Sequence, residues 1–351
     1  MSHECFPGGG VAPRGMAVVA VLMVVAVISV LAAALLGRQS AALRAAQAEQ
    51  TWTQARWLLR GEIGRAQALL RAEGRREVAV RLDGAWHVPV TGRPLGTIEG
   101  APARAFTEII DEQARFNLRN LVKAGAIDPA EAGAFQRLCA LVGVPAEQAA
   151  QIARRVATSL VDAEAALPGV TTAAAAASAA GSPVEVEAEV EVEVEDDTDL
   201  ARRWGLAPLP PHDLTPRLRL IDDLLGAPGI AASSIERLRP FVTVLPQRTW
   251  INANTASAEV LAAWVPGLSV ERARAVLKTR DQGQWFVNRG DFVRRLQMPE
   301  IDDVDVLIGI TSEWFRVSTA LRMTRTTLLM QALLHDDKQS LPRVVWTREG
   351  A

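Results

Sequence analysis

Signatures of catalysis and metal binding are scarce in this sequence of 351 residues. It has two cysteines, four histidines and no tyrosine. The histidines are scattered (His3, His87, His212 and His335), and no H-x-x-x-H or C-x-x-C spacing occurs. Walker, G-x-G-x-x-G and G-x-S-x-G sequences are also missing, so we expect no enzymatic activity.

The charge is nearly balanced overall but is segregated along the chain. The formal net charge is -2, yet residues 184–199 hold nine acidic residues and no basic one. The remainder carries 38 basic and 31 acidic residues, a mild excess that is not by itself a signature of nucleic-acid binding. Residues 170–199 are of low complexity, and their Val/Ala-Glu alternation would place six Glu in one column of a strand. We therefore predict a disordered, solvated loop rather than a strand.

Charged residues are also missing between Met16 and Leu36, a run of 21 residues. A helix rises about 1.5 Å per residue, so this run reaches about 30 Å and is long enough to cross a hydrocarbon core. We therefore predict a single membrane span. Basic residues flank both of its ends (Arg14, Arg38 and Arg44), so charge does not set its orientation.

The residues before the span resemble a known processing signal. The first 15 residues are polar, rich in Gly and Pro, and end in Arg14-Gly15. This arrangement resembles the class III signal of type IV pilins and type II secretion pseudopilins, which a prepilin peptidase cuts after the Gly. The resemblance implies cleavage between Gly15 and Met16, with N-methylation of Met16. Cys5 would then be lost, and Cys139 would have no partner for an internal disulfide.

Alternatives remain open for this stretch. A Sec signal peptide cut after Ala34, or a plain membrane anchor, would also give an apolar N-terminal run. Most pilins carry Glu at the fifth mature residue, where this chain has Ala20. The family of minor pseudopilin K of the general secretion pathway is similar in lacking that Glu.

After the span, the periodicity predicts a long helix and then a sheet. Apolar residues recur at spacings of three and four up to a helix end at Gly74: Trp52, Ala55, Leu59, Ile63, Ala66 and Leu70. Two alternating runs, 77–82 and 85–90, flank Asp83-Gly84 and predict a β-hairpin. The period changes from residue 106, and helices are predicted at 108–124, 129–142, 145–166 and within 215–246.

Two motifs resemble pseudopilin K. Residues 115–121, which include Asn117, resemble its F-N-L-N-x-L motif, with Arg119 in place of the usual Asn. Residues 250–261 resemble its I-N-x-N-T-A signature and include Asn252, Asn254 and Thr255. On physical grounds, Asn254 or Thr255 could cap the helix that follows. Asn252 is suited to holding the loop through bonds from its side chain to the backbone.

Residues 265–292 keep a second functional hypothesis open. They have a helix-hairpin-helix pattern, and membrane-anchored DNA-binding proteins of the competence type look similar. Basic residues follow its turn at Gly267: Arg272, Arg274, Lys278 and Arg280. Glu271 and Asp281 dilute this charge, and no aromatic residue alternates with it as a stacking platform requires. A packed helical module is therefore favoured over DNA binding.

The C-terminal residues return to strand-like alternation, which predicts strands at 314–321, 325–334 and 343–347. We predict an α+β fold in which a pilin-like long N-terminal helix packs on an antiparallel sheet, with a large all-α insertion that is SAM-like or helix-hairpin-helix-like. The predicted domains are a leader (1–15), a transmembrane helix (16–36), a periplasmic helix with the first strands (37–105), the insertion (106–311) and the C-terminal strands (312–351).

The resemblance to pseudopilin K implies a function. It implies a non-enzymatic minor pseudopilin at the tip of the type II secretion pseudopilus, which initiates pseudopilus assembly and supports export of folded proteins across the outer membrane. The implied partners are minor pseudopilins I and J, other pseudopilins, the inner-membrane assembly platform and the prepilin peptidase, with no nucleic acid. The implied location is the bacterial inner membrane, with the C-terminal domain in the periplasm.

Calcium is the one cofactor that the resemblance implies. A calcium ion takes six to eight oxygen ligands, and a partial set is available at the end of the acidic loop. The candidate ligands are Glu195, Asp196, Asp197 and Asp199. A solvated acidic linker is the favoured alternative for these residues.

Overall fold

The computed structural model describes residues 14–123, 126–165, 218–299, 301, 308–324 and 326–350. In these residues a long helix packs on a five-stranded sheet, and shorter helices are inserted between the second and third strands. The acidic low-complexity loop and the four candidate calcium ligands (Glu195, Asp196, Asp197 and Asp199) lie outside the described residues.

Helix α1 (Arg14–Arg76) has 63 residues and joins the apolar run to the sheet. The apolar run is long and apolar enough to cross a membrane, and none of it is buried by the rest of the chain. Farther along, one face of α1 packs into the core beneath the sheet. Five of the predicted residues are buried on it: Ala55, Leu59, Ile63, Ala66 and Leu70. Trp52, predicted on the same face, is instead 39% exposed, and the helix ends at Arg76 rather than at Gly74.

The sheet is antiparallel throughout, with the spatial order β1-β2-β3-β4-β5. Its strands are β1 (Val90–Ile98), β2 (Ala101–Asp111), β3 (Trp314–Arg322), β4 (Thr327–His335) and β5 (Arg343–Gly350). Alternate residues of the central strand, Phe315, Val317 and Leu321, are buried in the core shared with α1, as strand geometry requires. The predicted C-terminal meander of three strands is confirmed.

The predicted hairpin at 77–90 is wrong. Residues 77–89 contain only a 3-10 turn (Ala85–His87), and Val80 and Trp86 are the buried residues among them. The alternation misleads because the Val80 amide donates to the Ile310 carbonyl (2.9 Å), outside the sheet. The hairpin forms instead between β1 and β2, where Glu99 and Gly100 both have positive φ, 50° and 76°. Two such residues match the twist of the flanking strands.

The predicted helix at 108–124 is also wrong. Strand β2 continues to Asp111, because alternate residues from Ala103 to Asp111 are buried on the side of α1. The insertion therefore starts after Asp111 and not at residue 106, as predicted. Beyond β2 the chain makes two 3-10 turns, Glu112–Ala114 and Leu118–Leu121. A short strand, Phe116–Asn117, lies between these turns.

The inserted helices build a second core. Those within the described residues are α2 (Pro129–Leu141), α3 (Ala146–Ala165), α4 (Ala232–Leu238), α5 (Ala258–Trp264), α6 (Val270–Asp281) and α7 (Arg289–Leu296). Before α4, where a longer helix was predicted, the chain makes a 3-10 turn at Ile221–Leu224. Phe135, Phe286 and Phe292 are fully buried in this core.

Short two-residue strands tie the ends of the insertion together. Phe116–Asn117 pairs with Val242–Thr243, and Ile251–Asn252 pairs with Ile308–Gly309, both in parallel. Val122–Lys123 pairs with Ala126–Ile127 in antiparallel fashion. The two parallel pairings bring segments that are far apart in sequence to the place where the insertion leaves and rejoins the sheet.

Candidate functional site

A buried carboxylate, Asp111, lies where the chain leaves β2 for the insertion. Its Oδ2 accepts hydrogen bonds from Thr255 Oγ1 (2.6 Å), Ser312 Oγ (2.6 Å) and Asn252 Nδ2 (3.1 Å). Its Oδ1 accepts from the Gln113 amide (2.9 Å). Burial raises the pKa of the Asp111 carboxyl above its usual value, and the hydrogen bonds oppose that rise. One side chain thus joins the end of β2, the loop at 252–255 and the residues just before β3.

Asn252 extends this connection to the end of α1. Its Nδ2 lies 3.1 Å from the Val80 carbonyl and 2.9 Å from Ser312 Oγ, and its Oδ1 accepts from the Asn254 amide (2.9 Å). The last contact is the kind of side-chain to backbone bond that the sequence predicts for Asn252. The junction therefore holds the segment after α1, the sheet and the insertion in one fixed arrangement.

Asn254 and Thr255 do not cap the next helix, contrary to the prediction. Ser257 caps α5, because its Oγ accepts from the Val260 amide (3.3 Å). The Asn254 side chain instead bonds to both backbone groups of Phe286, donating to its carbonyl (3.0 Å) and accepting from its amide (2.9 Å). The Thr255 hydroxyl donates to the Asp111 carboxylate. Both residues connect loops that are distant in sequence.

Asn117 makes a second connection inside the insertion. Its Nδ2 donates to the Gln247 carbonyl (2.8 Å), and its Oδ1 accepts from the Leu245 amide (3.0 Å). Asn120 does the same with Thr249, donating to its carbonyl (2.8 Å) and accepting from its amide (3.0 Å). The segment at 117–120 thereby holds the segment at 245–249 along its length.

A partly buried ion-pair group lies at the start of α2, and Glu131 is its buried member. Arg248 Nη2 is 3.0 Å from Asp128 Oδ2 and 3.5 Å from Glu131 Oε1. Burial raises the pKa of Glu131 to about 7, although the positive charge of Arg248 acts in the opposite direction. Sequence reasoning missed this group, because Arg248 is more than 100 positions away from both acids.

The basic residues of the helical hairpin are mostly engaged within the protein. Arg280 is buried, and its Nη1 donates to the Ala253 (3.0 Å) and Ala256 (2.7 Å) carbonyls. Arg272 donates to a backbone carbonyl and Arg274 pairs with Glu259 (2.8 Å). A phosphate-binding surface needs such groups to be available, so this geometry does not favour DNA binding.

The described part of the chain offers no cluster of three or more His, Cys, Asp or Glu residues suited to a metal ion. Cys139 is buried, and burial raises the pKa of its thiol to about 12, so it is not a reactive nucleophile. The calcium prediction at Glu195, Asp196, Asp197 and Asp199 concerns residues beyond the described ranges, and it stays a prediction.

The predicted site residues fall in two places. Asn252, Asn254 and Thr255 meet at the junction near the end of α1, and Asn117 lies within the adjoining insertion. Gly15 and Met16 lie at the opposite end of α1, in its first turn. Sequence reasoning missed Asp111 and Ser312. The available signal was an acidic residue at the end of an alternating, apolar strand.

Comparisons with known proteins agree on one family. Two family models, both described as type II secretion system (T2SS), protein K, match residues 114–247 and 251–311. Type II secretion system protein K of Pseudomonas aeruginosa is 27% identical over 338 residues, which are 95% of this chain and 91% of that protein. The protein K of Dickeya chrysanthemi is 30% identical over 135 residues, which are 36% of this chain and 38% of that protein.

A solved structure shares the fold. It is a chain in the crystal structure of the GspK-GspI-GspJ complex from the type 2 secretion system of enterotoxigenic Escherichia coli. The TM-score is 0.59 at 19% identity, and the match covers 87% of this chain and 98% of that chain. The two family models together span more than half of the chain, and the Pseudomonas relative spans nearly all of it. The chain therefore belongs to the type II secretion system protein K family, a family of minor pseudopilins.

Proposed function

We propose that this chain is the tip subunit of the type II secretion pseudopilus, where it initiates assembly and supports export of folded proteins across the outer membrane. We further propose a non-enzymatic role, an anchor in the inner membrane and a periplasmic C-terminal domain. The observation that carries the proposal is the continuity of α1, which runs from the apolar run into the core of the sheet.

That continuity supports a mechanical role. The apolar part of α1 is exposed on all sides, while its later turns bury Leu59, Ile63 and Leu70 against the sheet. With no loop between the two parts, a displacement of the membrane span moves the sheet with it. We propose on this basis that the helix and sheet form a pilin-like domain.

The position of the insertion supports placement at the tip. The insertion leaves the sheet at Asp111 and rejoins it before Trp314, at the end of the sheet that contacts the residues after α1. The bulk of the helical module, for which we propose a SAM-like or helix-hairpin-helix-like architecture, therefore lies away from the membrane. Ala20 supports the same placement, because no Glu is present there to pair with the N-terminus of a subunit ahead.

The proposed partners follow from the family. The related structure is of a complex of GspK with GspI and GspJ, and we propose that this chain joins the corresponding minor pseudopilins. We also propose that a prepilin peptidase cuts after Gly15 and that the assembly platform of the inner membrane inserts the subunit. We also propose that the acidic loop binds calcium through Glu195, Asp196, Asp197 and Asp199.

The function can be tested by deletion and complementation in the source bacterium. Loss of the chain should abolish pseudopili and leave folded exoproteins in the periplasm, while a periplasmic marker enzyme stays inside the cell. The wild-type gene should restore both. Unchanged secretion without the chain would contradict the proposal, and a selective loss of DNA uptake would favour the competence-type alternative.

A further inference from the structure

The two edges of the sheet differ in how far they resist pairing with another strand. Strand β1 is blunted, because its register with β2 is interrupted twice and Pro94 lies within it. Gly92 and Gly96 both have positive φ, 70° and 98°, which bends this edge further. Interruptions, Pro and Gly are the devices by which proteins prevent edge strands from pairing.

In its last five residues, strand β5 has neither an interruption nor Pro, and its one Gly, the terminal Gly350, does not have positive φ. From Trp346 to Gly350 every residue pairs in unbroken register with β4, and the single irregularity lies before Trp346. Within the described residues, β4 is the only strand that pairs with β5, and no other backbone group bonds to it. The outer side of β5 therefore presents a row of backbone donors and acceptors, and an extended chain is the partner that matches such a row.

Contacts with α1 fix the direction of β5. Arg71 Nη1 donates to the Lys338 carbonyl (2.8 Å) and Gln67 Nε2 to the Pro342 carbonyl (2.6 Å), both just before the strand. Arg56 Nε pairs with Glu349 (2.9 Å) at its end. Strand β5 thus runs toward the apolar end of α1. An antiparallel partner strand would run away from the membrane.

This direction argues against a second copy as the occupant. Because the sheet is antiparallel throughout, both of its edge strands, β1 and β5, run toward the apolar end of α1. Two copies anchored in the same membrane would present edges that run the same way, so they could not form the antiparallel pair. Parallel pairing is the less stable arrangement.

The face of the sheet opposite α1 offers room for side chains of an added strand. A groove of about 600 Å³ crosses this face and reaches β5 at Arg348, with Phe106, Ala320 and Leu329 among its lining residues. Leu329 is 44% exposed in the chain alone. Every second side chain of an incoming strand would turn toward this face, which also carries Glu108 and Gln331.

We propose that the free edge of β5 binds an antiparallel strand from a different subunit of the pseudopilus, and that this strand runs away from the membrane. The partner is a pseudopilin that has an edge strand of this direction, and it extends the sheet from five strands to six. The inference rests on the proposed function, because it requires both subunits to be anchored in one membrane.

Residue-resolved hydrogen exchange on the full chain in detergent tests this proposal. The probe is the set of other minor pseudopilins from the same secretion system, co-purified with the chain. Without them, amides of β5 that bond to β4 should exchange slowly and the alternate amides quickly. With them, the alternate amides should slow by about 10-fold or more, whereas β1 should not change. Contact through side chains alone would not produce this alternation.

A pair of adjacent proline variants gives a second test. Successive amides of a strand point to opposite sides, so one of Thr347→Pro and Arg348→Pro removes a bond to β4 and the other removes an outward donor. The variant that loses the bond to β4 should unfold at a lower temperature. The variant that loses the outward donor should keep its melting temperature and bind the partner at least about 10-fold more weakly.

The outcomes separate the inference from the proposed function. Co-purification of the minor pseudopilins without slowed exchange in β5 would overturn the inference and leave the function intact. Slowed exchange in the chain alone, dependent on its concentration, would identify a second copy and overturn the proposed occupant. Failure of the chain to associate with any pseudopilin would overturn both.

Discussion

Asp111 shows how one residue can fix the relation between two parts of a chain. Its carboxylate is buried and accepts bonds from side chains that are 141, 144 and 201 positions away in sequence. A buried carboxylate without partners would cost several kcal/mol, so these donors must be placed before the junction is stable. The side chain therefore makes the closure of the sheet and the folding of the insertion depend on each other.

Replacing this carboxylate should destabilise the protein strongly. In Asp111→Asn an amide group would face donors from Thr255, Ser312 and Asn252, so at least one charge-assisted bond is lost. We expect the free energy of unfolding to fall by on the order of 3 kcal/mol. Thermal unfolding of the detergent-solubilised full chain, followed by circular dichroism, measures this change.

A matched control lies on the surface. Asp83 has a half-exposed side chain whose one ion pair within the described residues is with Arg81. Asp83→Asn should therefore change the free energy of unfolding by less than about 1 kcal/mol. Equal melting temperatures for Asp111→Asn and Asp83→Asn would contradict the role assigned to the junction.

Glu131 should make stability depend on pH. Its pKa is about 7 in the folded protein against an ordinary value of 4.5. The folded state therefore holds this proton more tightly than the unfolded state. The contribution of Glu131 to stability is largest below about pH 4.5 and is lost as pH rises to about 7. The loss from this one group is on the order of 3 kcal/mol, and urea unfolding at a series of pH values measures it.

The variant Glu131→Gln removes the titrating group and should flatten the stability profile between these two pH values. Glu147 is exposed in the first turn of α3, so Glu147→Gln is a control of the same chemistry that should keep the slope. A wild-type profile that rises with pH across this window would show that the carboxyl does not titrate as described.

At the level of elements, the sequence predicted the helices and strands in which apolar residues recur with the period of that element. Five apolar residues on α1 and the alternation of the C-terminal strands both follow from burial on one side, so these elements were found. The stretch at 77–90 was misassigned because Val80 and Trp86 are buried without a strand around them. The stretch at 108–124 was misassigned because β2 ends inside it at Asp111. The structure of neither stretch has a local cause, since both depend on contacts with residues that are distant in sequence.

The packing of α1 on the sheet can be tested by one substitution at two positions. Leu59 is 1% exposed and Leu43 is 65% exposed on the same helix. Leu59→Ala should lower the free energy of unfolding by about 2–5 kcal/mol, because it removes apolar contacts and leaves a cavity.

Leu43→Ala is the matched control, because Leu43 contacts no core. It should leave the melting temperature of the globular part unchanged. Equal effects of the two substitutions would contradict the continuous packing of α1 on the sheet.

Ala20 tests the tip placement at the level of the helix. If no subunit lies ahead of this chain, a carboxylate at position 20 has no N-terminus to pair with and is costly within the membrane. Ala20→Glu should therefore reduce exoprotein secretion more than Ala20→Gln, an uncharged change of similar size. Secretion assays at matched protein levels compare the two, and equal secretion would count against the tip placement.

At the level of the whole molecule, the two largest apolar cores of the described residues are joined at one end of the sheet. The core around α1 and the core of the insertion are distinct, and the groups of Asp111, Asn252 and Ser312 lie between them. The sequence predicted the α+β class and an insertion within one sheet. It could not predict the junction, because the hydrogen-bond partners there follow from tertiary proximity and leave no periodic signal.

Membership of the protein K family and the continuous α1 lead to one central claim, that the chain is a processed pseudopilin. The most direct test is the N-terminal mass of the protein recovered from membranes of cells with and without a prepilin peptidase. We predict a peptidase-dependent start at an N-methylated Met16. A start at Met1 in both strains, or a start after Ala34, would contradict the claim.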